Sequence, residues 1–182
     1  MAKVKRKSIE NNINLFDELL KWRDDYREMM KDATMVVHGQ GLPLENNPMG
    51  LYKWYLHPGK RNVGTRTLLV WMQEIPPKSC SGKQKTQGGQ IHIVLEGHGY
   101  TVIDGVRHDW DKFDAIFLPL LPDGTTHQHF NSDDEKWAKL LCAEPNFIDA
   151  LGVDKGSGFD VLEKSPDYKP IKNKLRTSGT KK

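Results

Sequence analysis

A chain of 182 residues is one domain's length, long enough to enclose one sizeable core and too short for a second full domain. Its 37% hydrophobic and 28% charged residues are the balance of an ordinary globular protein, and no run of about 18 apolar residues offers a membrane span. Much of the formal charge of +3 lies in the ends, in Lys3, Lys5, Arg6 and Lys7 and again in Lys169, Lys172, Lys174, Arg176, Lys181 and Lys182. That argues against a nucleic-acid reader, which carries a basic stripe on its folded part.

The basic N-terminus, residues 1–7, has no apolar stretch and small-residue cleavage site behind it, so it does not read as a secretory signal. Cys80 and Cys142 make neither a disulfide framework nor a CxxC pair. The expectation is a cytoplasmic protein with two reduced thiols and no membrane partner.

From Asn14 to about Lys31, Leu15, Leu19, Trp22, Tyr26, Met29 and Met30 recur at spacings of three and four, which predicts an amphipathic helix. Asn14 suits the N-cap, and Asp17 and Glu18 put negative charge where the helix dipole favours it. Gly39, Gly41, Pro43 and Pro48 then punctuate a connector. Strand chemistry follows at turn-marked intervals, over 51–57, 66–74, 90–95, 100–103, 106–110, 115–118, 126–131 and 137–143. Asp104-Gly105 is a short-range hairpin signal between two of these runs. With no helix-length pattern between them, the strands predict an antiparallel sandwich or barrel and exclude a parallel βαβ sheet. The chain divides into a tail, helix and arm over 1–50, a barrel over 51–146, and a lysine-rich, flexible extension over 147–182.

Residues 90–131 resemble the cupin family. "IHIVLEGHGYTVIDG" is similar to its strand, hairpin and strand, and "DAIFLPLLPDGTTHQHFN" to its second motif, in which Pro122, Gly124, His127 and Asn131 keep the spacing P-x-G-x-x-H-x-x-x-N. Three residues are inserted before Pro122, and Phe113 stands where the family usually has glycine. The resemblance implies an all-β fold, a double-stranded β-helix or jelly-roll barrel, here behind an N-terminal helical arm. Together with the helical arm and the strand "LLVWMQEIPP", the second motif is similar to the gentisate-dioxygenase-like branch, whose enzymes use Fe(II) to bind a phenolic substrate and O₂ side by side.

The first motif departs from that pattern. Counting back from Gly97 puts the family's usual two histidines and glutamate at Gln84, Thr86 and Gln90, so that His127 alone keeps its expected ligand position. Side chains two apart on a strand share a face. If Gln90 points inward then His92 does too, and if His127 points inward then so does His129. The inward set is thus Gln84, Gln90, His92, His127 and His129. Three imidazoles suit a divalent metal such as Fe(II), but the same residues also suit a metal-free polar cavity in which each is hydrogen-bonded.

On this reading His127, His92, Gln90 and Gln84 are the metal-site candidates, and the resemblance makes His129 a substrate-side acid or base. The chain is expected to be a metal-dependent, dioxygenase-like enzyme for a phenolic or small carboxylated substrate. The alternative is a non-catalytic cupin serving as a ligand-binding or structural partner. The metal is expected in the first case and absent in the second. A homodimer, or a hetero-oligomer with another cupin chain, is the expected assembly, because the arm can cover a sheet edge that would otherwise be left unpaired.

Overall fold

The computed structural model describes residues 15–57, 59–60, 63, 65, 67–87, 89–146 and 159–169, which fall into two compact units. In the first unit, helix α1 spans Leu15–Lys31, with Asp17 and Glu18 in its first turn and Lys31 in its last, the arrangement the helix dipole favours. The predicted N-cap, Asn14, lies outside the described residues. Leu15, Leu19, Trp22 and Tyr26 form the expected stripe and are exposed. Thr34 and Val63 make a short parallel bridge.

Among the described residues the second unit has eleven strands. In chain order they are β1 (Glu45–Asn47), β2 (Gly50–Leu56), β3 (Leu68–Ile75), β4 (Lys83–Thr86), β5 (Gln90–Glu96), β6 (Gly99–Ile103), β7 (Val106–Trp110), β8 (Ala115–Leu118), β9 (Thr125–Asn131), β10 (Ala138–Pro145) and β11 (Phe159–Glu163). One sheet has the order β1-β2-β3-β10-β5-β8 and the other β11-β4-β9-β6-β7. Neighbouring strands run antiparallel throughout. This is the antiparallel architecture expected from the succession of short strands, and the double-sheet jelly roll that the cupin resemblance implies.

Strand alternation decides what faces inward. Leu69, Trp71, Gln73 and Ile75 on β3, Gln90, His92 and Val94 on β5, and Ala138, Leu140 and Cys142 on β10 are all buried. From the second sheet, Gln84 and Thr86 on β4, Thr101 on β6, Trp110 on β7 and Thr125, His127, His129 and Asn131 on β9 are buried as well. Trp71, Ile75, Val94, Ile116, Leu118, Leu140 and Trp110 belong to one apolar cluster spanning both sheets.

Three strands were missed by the apolar signal. β1 and β4 read Glu-Asn-Asn and Lys-Gln-Lys-Thr, and β4 turns polar Gln84 and Thr86 inward, so there is no hydrophobic alternation to detect. β11 falls in the stretch read as a flexible extension, yet it pairs with β4 through Phe159↔Thr86 and Val161↔Gln84. The apolar segment at 147–151 and the lysine-rich end from 170 lie outside the described residues.

The turns follow local chemistry. Asp104 and Gly105 have φ values of 46° and 85°, the paired left-handed conformation that a two-residue hairpin requires. At Gly99 a Cβ would stand 2.0 Å from the Phe130 carbonyl oxygen, so only glycine permits β6 and β9 to approach as they do. Phe113 has φ 77°, a conformation that costs a residue bearing a Cβ and that glycine adopts freely. The departure from glycine there is therefore a strained position.

Candidate metal centre

The inward faces of β5 and β9 bring three imidazoles together. His92, His127 and His129 are 0%, 1% and 1% exposed, and one nitrogen from each lies within 4.8 Å of the others. His92 and His129 are joined directly, Nδ1 to Nε2, at 2.8 Å. The ring centroids are 4.8 Å apart for His92 and His129, 5.3 Å for His127 and His129, and 5.5 Å for His92 and His127. β5 and β9 lie in different sheets, so neither motif alone contains the cluster.

The amides flank the imidazoles. Gln84 Nε2 stands 2.7 Å from His127 Nε2, across the β4–β9 pairing that sets Gln84 opposite His127. Gln90 Oε1 lies 3.0 Å from His92 Nε2, and Gln90 Nε2 donates to Glu144 Oε2 at 2.5 Å. Thr86, at the remaining position of the altered first motif, is also buried. Thus all five residues of the expected inward set are buried near one another, three as possible donors to an ion and two as their hydrogen-bond partners.

Burial is the first cause of the site's electrostatics. It pushes each of the three histidines well below its ordinary value near 6.5, and a neighbouring imidazole adds to the effect in each case. All three are therefore neutral at pH 7, the form in which imidazole binds a metal. The Glu144 carboxyl is raised by burial, against the opposing effect of the Gln90 hydrogen bond. Cys142, opposite His92 in the β10–β5 register, has its thiol pushed well up by burial and then by Glu144.

Three uncharged imidazoles form a donor set that fits borderline divalent ions such as Fe(II), Ni(II) or Zn(II). His127 Nδ1 is buried without a hydrogen-bond partner, as is Trp71 Nε1; because the Gln84 amide N–H donates to His127 Nε2, that Nδ1 carries the ring proton, and the ring would hold an ion there only after a change of tautomer. The cluster departs from the expected pattern in having no carboxylate among its convergent donor atoms.

Several residues were missed by sequence reasoning. Thr101 Oγ1 meets His129 Nδ1 at 2.7 Å and accepts from Trp110 Nε1 at 2.9 Å. Glu144 reaches the cluster through Gln90. Period-two counting from Gly99 on β6 and from Cys142 on β10 gives the strand face of each residue, not its place in the cluster. Other histidines stand apart from the cluster: the His57 ring packs on Trp54 at 4.9 Å, and His98 faces Asp133 at 3.5 Å. Glu96 pairs with Lys139 at 2.8 Å, and Arg107 bonds Asp109 and lies over the Tyr100 ring.

No protein-family profile matches the chain. Among curated proteins it is similar to 5-aminosalicylate 1,2-dioxygenase from Comamonas sp., at 24% identity over 122 residues, covering 67% of this chain and 30% of that protein. It therefore spans about a third of the relative's length. Among solved structures it is similar to salicylate 1,2-dioxygenase from Pseudoaminobacter salicylatoxidans, in adducts with gentisate, with a TM-score of 0.53 and 15% identity, covering 81% of this chain and 35% of that one. A cupin 2 conserved barrel domain protein from Salinispora arenicola is similar over 65% of this chain and 97% of its own, with a TM-score of 0.51 and 21% identity. Among the described residues, no helix is long and apolar enough to cross a membrane.

Proposed function

We propose that this chain, which has the cupin fold and a distant similarity to aromatic ring-cleaving dioxygenases, is a metal-dependent enzyme of the dioxygenase-like kind acting on a phenolic or other small carboxylated substrate. The observation that carries this reading is the convergence of three buried, neutral imidazoles from two sheets. His92, His127 and His129 would hold the ion, with Gln84 and Gln90 orienting His127 and His92. When bound, a ferrous ion supplies the Lewis acidity and one-electron chemistry that bring a phenolate and dioxygen together.

The protein's own contribution is placement and exclusion of water. Strands β5 and β9 hold the rings rigidly, because each is paired on both sides. The Trp71 ring lies edge-on to His92 at 6.1 Å, so the site is walled on one side by apolar surface. In this arrangement His129 belongs with the ligands, in place of the acid or base role implied by the family resemblance.

A second reading, a non-catalytic cupin with a polar core, is favoured by the same hydrogen bonds: His92 and His129 already satisfy each other, and amides stand where a carboxylate ligand is usual. Metal content after Fe(II) reconstitution decides between the two. The enzyme reading expects close to one ion per chain, with retention of the fold and loss of most metal in both His127→Ala and His92→Ala. Wild-type protein that takes up no ion would refute it, and if the two variants then lose stability equally, the residues form a structural network.

Assembly is part of the proposal. Ile91, Ile93 and Phe117 leave apolar surface exposed on the outer side of β5 and β8, in keeping with a homodimer or with pairing to another cupin chain. Light scattering at micromolar concentration should give about twice the calculated 20.8 kDa for a homodimer. A monomer that forms no complex with any other cupin would refute the assembly.

A further inference from the structure

A hydrogen-bonded chain crosses the barrel interior, and its two ends dictate its direction. At one end Trp110 Nε1 lies 2.9 Å from Thr101 Oγ1. Thr101 Oγ1 is 2.7 Å from His129 Nδ1, His129 Nε2 is 2.8 Å from His92 Nδ1, and His92 Nε2 is 3.0 Å from Gln90 Oε1. At the other end Gln90 Nε2 meets Glu144 Oε2 at 2.5 Å. An indole N–H can only donate, and a carboxylate can only accept. The groups between are 0–2% exposed, so a donor facing a donor would leave both unsatisfied, with no water to relieve them.

Working back from Glu144 leaves one arrangement that satisfies all five contacts. The Gln90 amide N–H₂ faces the carboxylate, so its carbonyl faces His92, which must carry its proton on Nε2. His92 Nδ1 is then a lone pair and accepts from His129, whose proton must also be on Nε2. His129 Nδ1 in turn accepts from the Thr101 hydroxyl, and the oxygen of that hydroxyl accepts from Trp110.

We infer that Glu144 is a positioning residue of this site: acting through Gln90, its carboxylate holds both His92 and His129 as Nε2–H imidazoles. The consequence differs for the two rings. His92 turns the lone pair of Nδ1 toward its neighbour and can offer it to a cation as it stands. His129 turns an N–H the same way. It can offer Nε2 only after that proton is lost and another is taken up at Nδ1, with the Thr101 hydroxyl rotating from donor to acceptor; the net proton change is zero. Loading an ion therefore includes a tautomer change at His129 and none at His92. The tautomer assignment stands on geometry alone, and only this last consequence rests on the proposed metal site.

Nitrogen-15 NMR of the imidazoles in metal-free, uniformly labelled full-length protein reads each tautomer directly. Wild type should show a protonated Nε2 and an unprotonated Nδ1 at both His92 and His129. Glu144→Leu removes the terminal acceptor, so His92 should shift measurably toward its Nδ1–H form. Glu144→Gln retains an acceptor oxygen for the Gln90 amide and should keep the wild-type pattern, a distinction that a merely space-filling role for Glu144 would not produce. An Nδ1–H tautomer at His92 in wild type would overturn the inference without recourse to any variant, and so would a Glu144→Leu spectrum identical to wild type. Titration with Zn²⁺ then separates the two layers: a switch to Nδ1–H at His129 alone supports the loading step. A switch at both rings overturns it, and so does failure to bind zinc, which leaves the apo tautomers as the surviving result.

Discussion

Two regions of the barrel interior are equally buried and opposite in chemistry. Val94 and His92 are two residues apart on the same face of β5, and both are 0% exposed. Val94 belongs to one apolar cluster with Ile75, Ile116 and Leu140; around His92 lie His129, His127 and Gln90, joined by hydrogen bonds or ring contacts. The apolar region is held by the area it removes from water, about 25 cal/mol per Å². The histidine region gains little in this way, because each polar atom must exchange water for a partner of the right donor or acceptor sense. Burial alone therefore says nothing of purpose. What separates the two is composition: the apolar region holds one buried polar atom without a partner, Trp71 Nε1, whereas the polar one is built of imidazoles and amides and retains His127 Nδ1 without a partner.

The largest effect should come from the apolar side. Leu140→Ala empties a fully buried site and should cost about 2–5 kcal/mol in urea unfolding, while metal bound per folded chain stays unchanged. Loss of metal in that variant while it remains folded would mean that the two regions are coupled.

The histidine side should dominate the pH dependence. Its three folded-state values are depressed below the ordinary 6.5, so below that pH the unfolded chain binds more protons than the folded one. Stability is then fully present above about pH 6.5 and falls as the pH drops toward the depressed values, with a slope approaching about 1.4 kcal/mol per pH unit for each histidine. Chemical denaturation at pH 7.5, 6.5 and 5.5 measures it, and a flat profile would contradict neutral burial of the cluster.

The smallest effect lies outside both regions and serves as a control. Phe113 is 74% exposed with φ 77°, so Phe113→Gly loses little packing and relieves a left-handed residue. The thermal midpoint should rise, corresponding to a gain of up to about 1 kcal/mol, with no change in metal uptake.

Much of this was legible in the chain. The turn-marked strands, the Asp104-Gly105 hairpin and the second-motif spacing around Pro122, Gly124, His127 and Asn131 are local signals, and the barrel follows from them. The family spacing placed Gln84, Gln90 and His127, and period-two alternation added His92 and His129, because side chains two apart on a strand share a face. The polar strand β4 and the late strand β11 were not legible, since β4 shows no apolar alternation and the short run Phe159–Glu163 lies in a stretch read as a flexible extension. Nor was the cluster itself. β5 and β9 lie in separate sheets, and only their packing sets the 2.8 Å contact between His92 and His129. Glu144 and Thr101 belong to the site for the same reason: hydrogen-bond direction is a property of a connected chain in space, set by which donor and which acceptor stand at its ends, and no spacing along the sequence encodes it.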